Sequence, residues 1–135
     1  MVETPNWYAE SDIVCAPSPS GESFGIVIAE AMASGKPVVA AANAGYRTLL
    51  TGEAAQLLAI PGNVASLFEK LRSVVLDASL RERLGQWGRK EAMRYDCRAV
   101  VPKLETIYKD AIPKAHARTP KRRKRRFVGE DRPAW

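Results

Sequence analysis

Between Asp12 and Ala42 short unbroken apolar runs are separated by polar breaks, and this pattern predicts a strand, a helix and a second strand. Ile13 to Ala16 and Pro37 to Ala42 are continuously apolar, as in strands covered on both faces of a parallel sheet. Between them a loop rich in Gly, Ser and Pro begins at Pro17 and opens into Ile26 to Ala33. That segment reads IVIAEAMA, apolar all round except for Glu30, and predicts a buried helix starting near Phe24 or Gly25. Gly35 supplies the left-handed residue that ends a helix, and Pro37 prevents its continuation.

The remaining periodicity is mostly helical. Thr4 to Ser11 reads as a short helix packed through Trp7 and Tyr8, and Tyr46 to Leu50 as another after a turn at Asn43-Ala44-Gly45. Gln56 to Ile60 suggests a third strand, closed by Pro61-Gly62. Asn63 is placed to cap a helix running to Asp77, with Leu67, Leu71, Val74 and Val75 on one face. Ser79 is the expected cap of the next, which buries Leu80, Leu84 and Trp87. Gly85 and Gly88 weaken that helix by about 1 kcal/mol each relative to alanine, so close packing against a neighbour is the expected reason for them. A last helix from Arg98 to Ile112 turns Val100, Val101, Leu104, Ile107 and Tyr108 inward. Strands alternating with helices make this an α/β chain with a short parallel sheet over residues 1–113.

Chemistry concentrates at the first loop and helix. A helix start leaves amide N–H groups without intrahelical partners and adds the positive end of the helix dipole, a setting that suits phosphate. Gly25 would let a ligand approach those amides, and Ser18, Ser20 and Ser23 offer hydroxyls. The plainer alternative is an ordinary helix capped by Ser23. Glu30 lies about 7–8 Å along the axis from Gly25, where it can meet the next group of a bound molecule. A lone carboxylate in a buried helix needs such a partner. Its plainer role is to complement the helix N-terminus.

Glu22-Ser23-Phe24-Gly25, four further residues, and then Glu30-Ala31-Met32-Ala33-Ser34-Gly35-Lys36-Pro37-Val38-Val39 together resemble the E-x7-E signature of family 4 retaining nucleotide-sugar glycosyltransferases of the GT-B fold. The order of elements is similar to the end of the donor domain of that family, over residues 4–113, and the resemblance implies a partial Rossmann-like domain over residues 1–113. The resemblance implies that Glu22 is the catalytic-side carboxylate beside hydroxyls of the donor sugar. By the same resemblance the amides from Ser23 through Phe24 and Gly25 to Ile26 approach sugar and diphosphate, and Glu30 binds the ribose. It implies a nucleotide-sugar substrate, with no cofactor and no catalytic metal. The chain departs from the family pattern in two places. Gly45-Tyr46-Arg47 stands where many members carry Gly-Gly and an acid, and the first sixteen residues contain no Lys or Arg to serve as the family's diphosphate-neutralising pair. The expectation is a donor-side half-site, a fragment or one part of a split enzyme, whose missing half or a second copy pairs with a bare sheet edge. The alternative is a binding module without turnover, either a remnant that binds a nucleotide or sugar phosphate or an interaction piece that meets its partner, an anionic membrane or nucleic acid, through the basic end of the chain.

Composition adds one feature. The 135 residues carry a net charge of +6, yet residues 1–113 hold twelve basic and thirteen acidic side chains and residues 114–135 nine and two. The positive charge therefore belongs to the end of the chain, where 121–126 reads KRRKRR. This basic segment is expected to be disordered when free and to contact an anionic membrane or nucleic acid, unless it only adds solubility. With 46% apolar residues and no apolar run near the ~18–20 needed to cross a bilayer, the expectation is one soluble domain without a secretory signal, cytoplasmic or peripheral at a membrane. Cys15 and Cys97 lack ligand spacing and read as free thiols, Cys15 buried. His116 is the single histidine, so no Ser/His/Asp triad can be assembled.

Overall fold

The structure, a computed structural model, describes residues 4–118, with side chains from 6 to 112. Its elements follow in the order α1 (Thr4–Glu10), β1 (Val14–Ala16), α2 (Ile26–Ala33), β2 (Val38–Ala41), α3 (Ala44–Leu49), a 3-10 helix (Gly52–Leu57), β3 (Leu58–Ala59), α4 (Val64–Leu76), α5 (Ala78–Ala92), a 3-10 turn (Met93–Tyr95) and α6 (Cys97–Arg118). The three strands form a parallel sheet in the order β1-β2-β3, with Val14 opposite Val38, Ala16 opposite Ala40 and Ala41 opposite Ala59. This is the α/β, Rossmann-like arrangement that the alternation of runs predicts. Among the described residues no helix is long and apolar enough to cross a membrane.

β2 is the central strand, and all four of its residues are buried. Ile28 and Met32 of α2, Val39, Leu49, Leu57 and Val74 of α4 form the fully enclosed centre. The ends of α2 are set by two glycines. Gly35 at φ 72° closes the helix, its N–H donating to the Met32 carbonyl at 2.9 Å while the Lys36 N–H reaches the Ala31 carbonyl at 3.0 Å, the paired bonds of a Schellman turn. α5 packs across α2 through the expected glycines. A Cβ on Gly85 would stand 2.3 Å from the Gly35 carbonyl oxygen, and one on Gly88 would stand 3.3 Å from the Met32 Cα.

Several expectations need correction. Cys15 is exposed, because β1 is an edge strand with a neighbour on one side only. Burial still raises its thiol pKa above the usual value. Trp7 is 74% exposed, leaving Tyr8 as the aromatic of α1 that packs on the core. Val75 is exposed, and α4 buries Val74 fully with Leu67 and Leu71 partly covered. Asp77 caps α5 in place of Ser79, its Oδ1 accepting from the Leu80 N–H at 2.9 Å. Asp and Ser are near-equal caps, and the one three residues before the free N–H wins.

The chain divides into two compact units, Met1–Ala99 and a second that begins at Val100. In the second, α6 continues past Ile112 to Arg118. Its predicted inward residues Val101, Leu104, Ile107 and Tyr108 are exposed. Helical period shows that residues share a face, not that anything covers it. The basic run 121–126, and with it the expected contact with an anionic surface, lies outside the described residues.

Candidate functional site

The loop after β1 and the start of α2 lie at the carboxyl end of the sheet. α2 begins at Ile26, slightly later than the pattern suggests, and its N-cap is Gly25 in the left-handed conformation, φ 98° and ψ 62°. No side chain caps it, so Ser23 does not act as the expected alternative cap. The Gly25 carbonyl accepts from Ile28 N–H at 3.0 Å and Ala29 N–H at 3.3 Å. The N–H groups of Ile26 and Val27 have no partner among the described residues, and Ile26 is 68% exposed. The positive end of the helix is therefore open.

Gly25 is also required by the packing of the loop. A Cβ there would meet the Tyr46 ring at 2.7 and 2.8 Å, and the positive φ alone disfavours other residues. Tyr46 belongs to α3, whose start clamps the whole loop. Asn43, 7% exposed, caps α3 by accepting from Tyr46 N–H at 2.9 Å, and its Nδ2 donates to the Ser18 carbonyl at 2.9 Å. Gly45 lies against the loop backbone so closely that a Cβ would fall 2.7 Å from the Glu22 carbonyl oxygen. Asn43→Ala removes both bonds from a buried position and is expected to cost about 1–3 kcal/mol, read as a lower midpoint in urea unfolding. An unchanged midpoint would show that the clamp contributes nothing.

Glu22 is half-buried and its charge lies close enough to Tyr46 to act on it. Burial first, and that charge second, hold the Tyr46 phenol above its ordinary pKa of 10.0. Ser23 is exposed, and Phe24 turns to make an edge-on contact with Tyr95, ring centroids 5.3 Å apart. Arg47 donates to the Ala42 carbonyl at 2.8 Å at the foot of its own helix.

Glu30 is exposed, not the buried acid the sequence implied, because α2 buries only the face carrying Ile28, Ala31 and Met32. Its partner is Tyr8, whose hydroxyl donates to Oε2 at 3.0 Å. A shallow groove beside it is bounded by Ala29, Glu30, Tyr95 and Asp96. Asp96 at its rim is held at a pKa of about 2, first by the side-chain hydrogen bond from Arg98 and then by the Arg98 backbone N–H. Ser23, Phe24, Gly25 and Ile26 thus line one helix entrance, with Glu22 before it and Glu30 about one and a half turns beyond. Tyr8, Asn43 and Tyr95 join this site without having been assigned to it, and Tyr46, noted in the sequence only as a departure from the family pattern, packs into it. Asn43 had a readable signal, a good cap directly before a helix, whereas the tyrosines reach the site only through tertiary packing.

Residues 1–91 match the model of the family described as glycosyl transferases group 1. The chain is 40% identical over 99 residues to a phosphatidyl-myo-inositol mannosyltransferase of Mycobacterium leprae, covering 73% of this chain and 26% of that protein. It is 38% identical over 100 residues to a sulfoquinovosyl transferase of Arabidopsis thaliana, covering 72% and 19%. Among solved structures it is similar to sucrose-phosphate synthase from Thermosynechococcus elongatus, with a TM-score of 0.74 and 27% identity over 80% of this chain and 27% of that one. The chain spans about a quarter of the length of such relatives.

Proposed function

Because the chain belongs to the group 1 glycosyl transferases, we propose that residues 17–39 form the nucleotide-sugar half-site of a retaining hexosyltransferase. The open amides of Ile26 and Val27 at the glycine-led start of α2, in line with the exposed carboxylate of Glu30, carry this reading. The amides and the helix dipole receive the diphosphate, Glu30 accepts hydrogen bonds from the ribose hydroxyls, and Glu22 faces hydroxyls of the donor sugar. In the reaction the bond from the anomeric carbon to the diphosphate oxygen breaks, an acceptor hydroxyl oxygen takes its place on the same face, and the hydroxyl proton passes to the departing phosphate oxygen. The nucleoside diphosphate leaves with its growing charge stabilised by the helix-end amides, a role that in this scheme needs no metal.

The acceptor-side wall is supplied by polypeptide other than these residues, so this chain alone is expected to bind donor and not to transfer sugar. Holding donor and acceptor in reacting geometry is worth up to about 7–11 kcal/mol of the barrier, which a half-site cannot realise. Calorimetric titration of UDP, GDP and ADP into the full chain tests the reading, each compared with its nucleoside. One diphosphate is expected to bind at least about tenfold more tightly than its nucleoside, the phosphate contribution of the helix end. Equal affinity of nucleoside and diphosphate contradicts it and favours a nucleotide-binding remnant without turnover, and no binding of any of the three contradicts it and favours an interaction piece that acts through its basic end.

A further inference from the structure

α1, a helix of seven residues, is attached to the domain largely through polar contacts. Its Trp7 is exposed, and three polar contacts run from the helix to α2 and the turn that follows α2. The Lys36 ammonium donates to the Ala9 carbonyl at 3.0 Å, while the Tyr8 hydroxyl lies 3.0 Å from Glu30 Oε2 and 3.4 Å from the Val27 carbonyl. Ser11 closes the helix, its Oγ donating to the Tyr8 carbonyl at 3.0 Å and its N–H to the Trp7 carbonyl at 3.1 Å. The Tyr8 ring packs partly on the core, so the hydroxyl that emerges beside Glu30 is held from below.

We propose that Tyr8 is a positioning residue for the ribose-binding carboxylate: its hydroxyl holds Glu30 Oε2, leaving Oε1 to accept from the ligand. The inference rests on the donor half-site reading. An exposed glutamate otherwise samples many rotamers, and a ligand that uses it must stop that motion on binding. A phenol fixed by a packed ring removes the cost in advance, since only one torsion about the C–O bond remains free. Burial, then the hydrogen bond to Glu30 and the charge of Glu30, raises the phenol pKa above its ordinary 10.0, so it remains a donor throughout the neutral range.

Tyr8→Phe keeps the ring and removes only the hydroxyl. Titration of the full chain with whichever of UDP, GDP and ADP binds tightest, and with its 2′,3′-dideoxy counterpart, separates positioning from packing. Tyr8→Phe is expected to weaken the ribose diphosphate by about three- to tenfold and to leave the dideoxy compound unchanged, with no added effect in a Glu30→Ala background. Glu30→Asp, which keeps the charge but withdraws it from the phenol, is expected to lose the same selectivity. Equal weakening of both ligands, or none, overturns the positioning role while leaving the half-site intact. A wild-type chain that binds the diphosphate but does not discriminate the two riboses removes Glu30 from the ribose, and this inference with it.

Discussion

Glu30→Ala is expected to weaken nucleoside diphosphate binding by about tenfold or more without unfolding the chain. A hydrogen bond to a charged group contributes about 1.5–3 kcal/mol, and each 1.4 kcal/mol is a factor of about ten in affinity. The fold has little at stake, because Glu30 is exposed and the Tyr8 hydroxyl it releases has the Val27 carbonyl within 3.4 Å as an alternative acceptor. Glu22→Gln, by contrast, should hardly alter affinity for a free nucleotide, since Glu22 is assigned to the sugar. Calorimetry beside a thermal melt reads both properties. Intact binding with a lowered melting temperature in Glu30→Ala would make the acid structural, and equal loss of affinity in the two variants would put Glu22 on the nucleotide.

A large effect on stability is expected from Gly85→Ala. In an ordinary helix interior that change gains up to about 1 kcal/mol of propensity. Here the new Cβ would sit 2.3 Å from the Gly35 carbonyl oxygen, a backbone atom in the Schellman turn that closes α2, so a whole helix end must move. Overpacking costs typically about 1–3 kcal/mol, and a rigid backbone contact belongs at the upper end, leaving a net loss of about 2 kcal/mol in a domain whose total is of order 5–15 kcal/mol. Gly88→Ala is the control on the same helix. Its Cβ would lie 3.3 Å from Met32 Cα, a separation that small shifts relieve, so cost and propensity gain nearly cancel. Urea unfolding should therefore rank Gly85→Ala well below Gly88→Ala. A Gly85→Ala chain as stable as wild type would mean that α5 does not approach α2 as described.

What the sequence made legible is what local chemistry controls. The C-terminal end of α2 was readable because Gly35 and Pro37 act on their own neighbours, and the Asn63 cap of α4 was readable for the same reason, its Oδ1 accepting from Ser66 N–H at 2.9 Å. The glycines of α5 signalled a close approach without saying to what. The side chains wrongly placed inside share one cause. Cys15, Trp7, Val75 and Val101 were all placed inside from periodicity or local hydrophobicity, which gives a face but not its cover, and the edge position of β1 follows only from strand order. The Tyr8 to Glu30 bond spans 22 positions, and no local pattern links the two. The candidate site was therefore readable as a loop with two acids, while the residues that shape it from α1, α3 and the Met93–Tyr95 turn were not.

The most direct test of the donor half-site is the amide spectrum of isotope-labelled full chain during titration with the tightest-binding nucleoside diphosphate. The open N–H groups of Ile26 and Val27 are expected to show the largest shifts, with Gly25 following, and the corresponding nucleoside should leave them nearly still. Shifts confined to the basic run 121–126, with the amides from Gly25 to Val27 unmoved, would contradict the half-site and assign anion binding to charge alone.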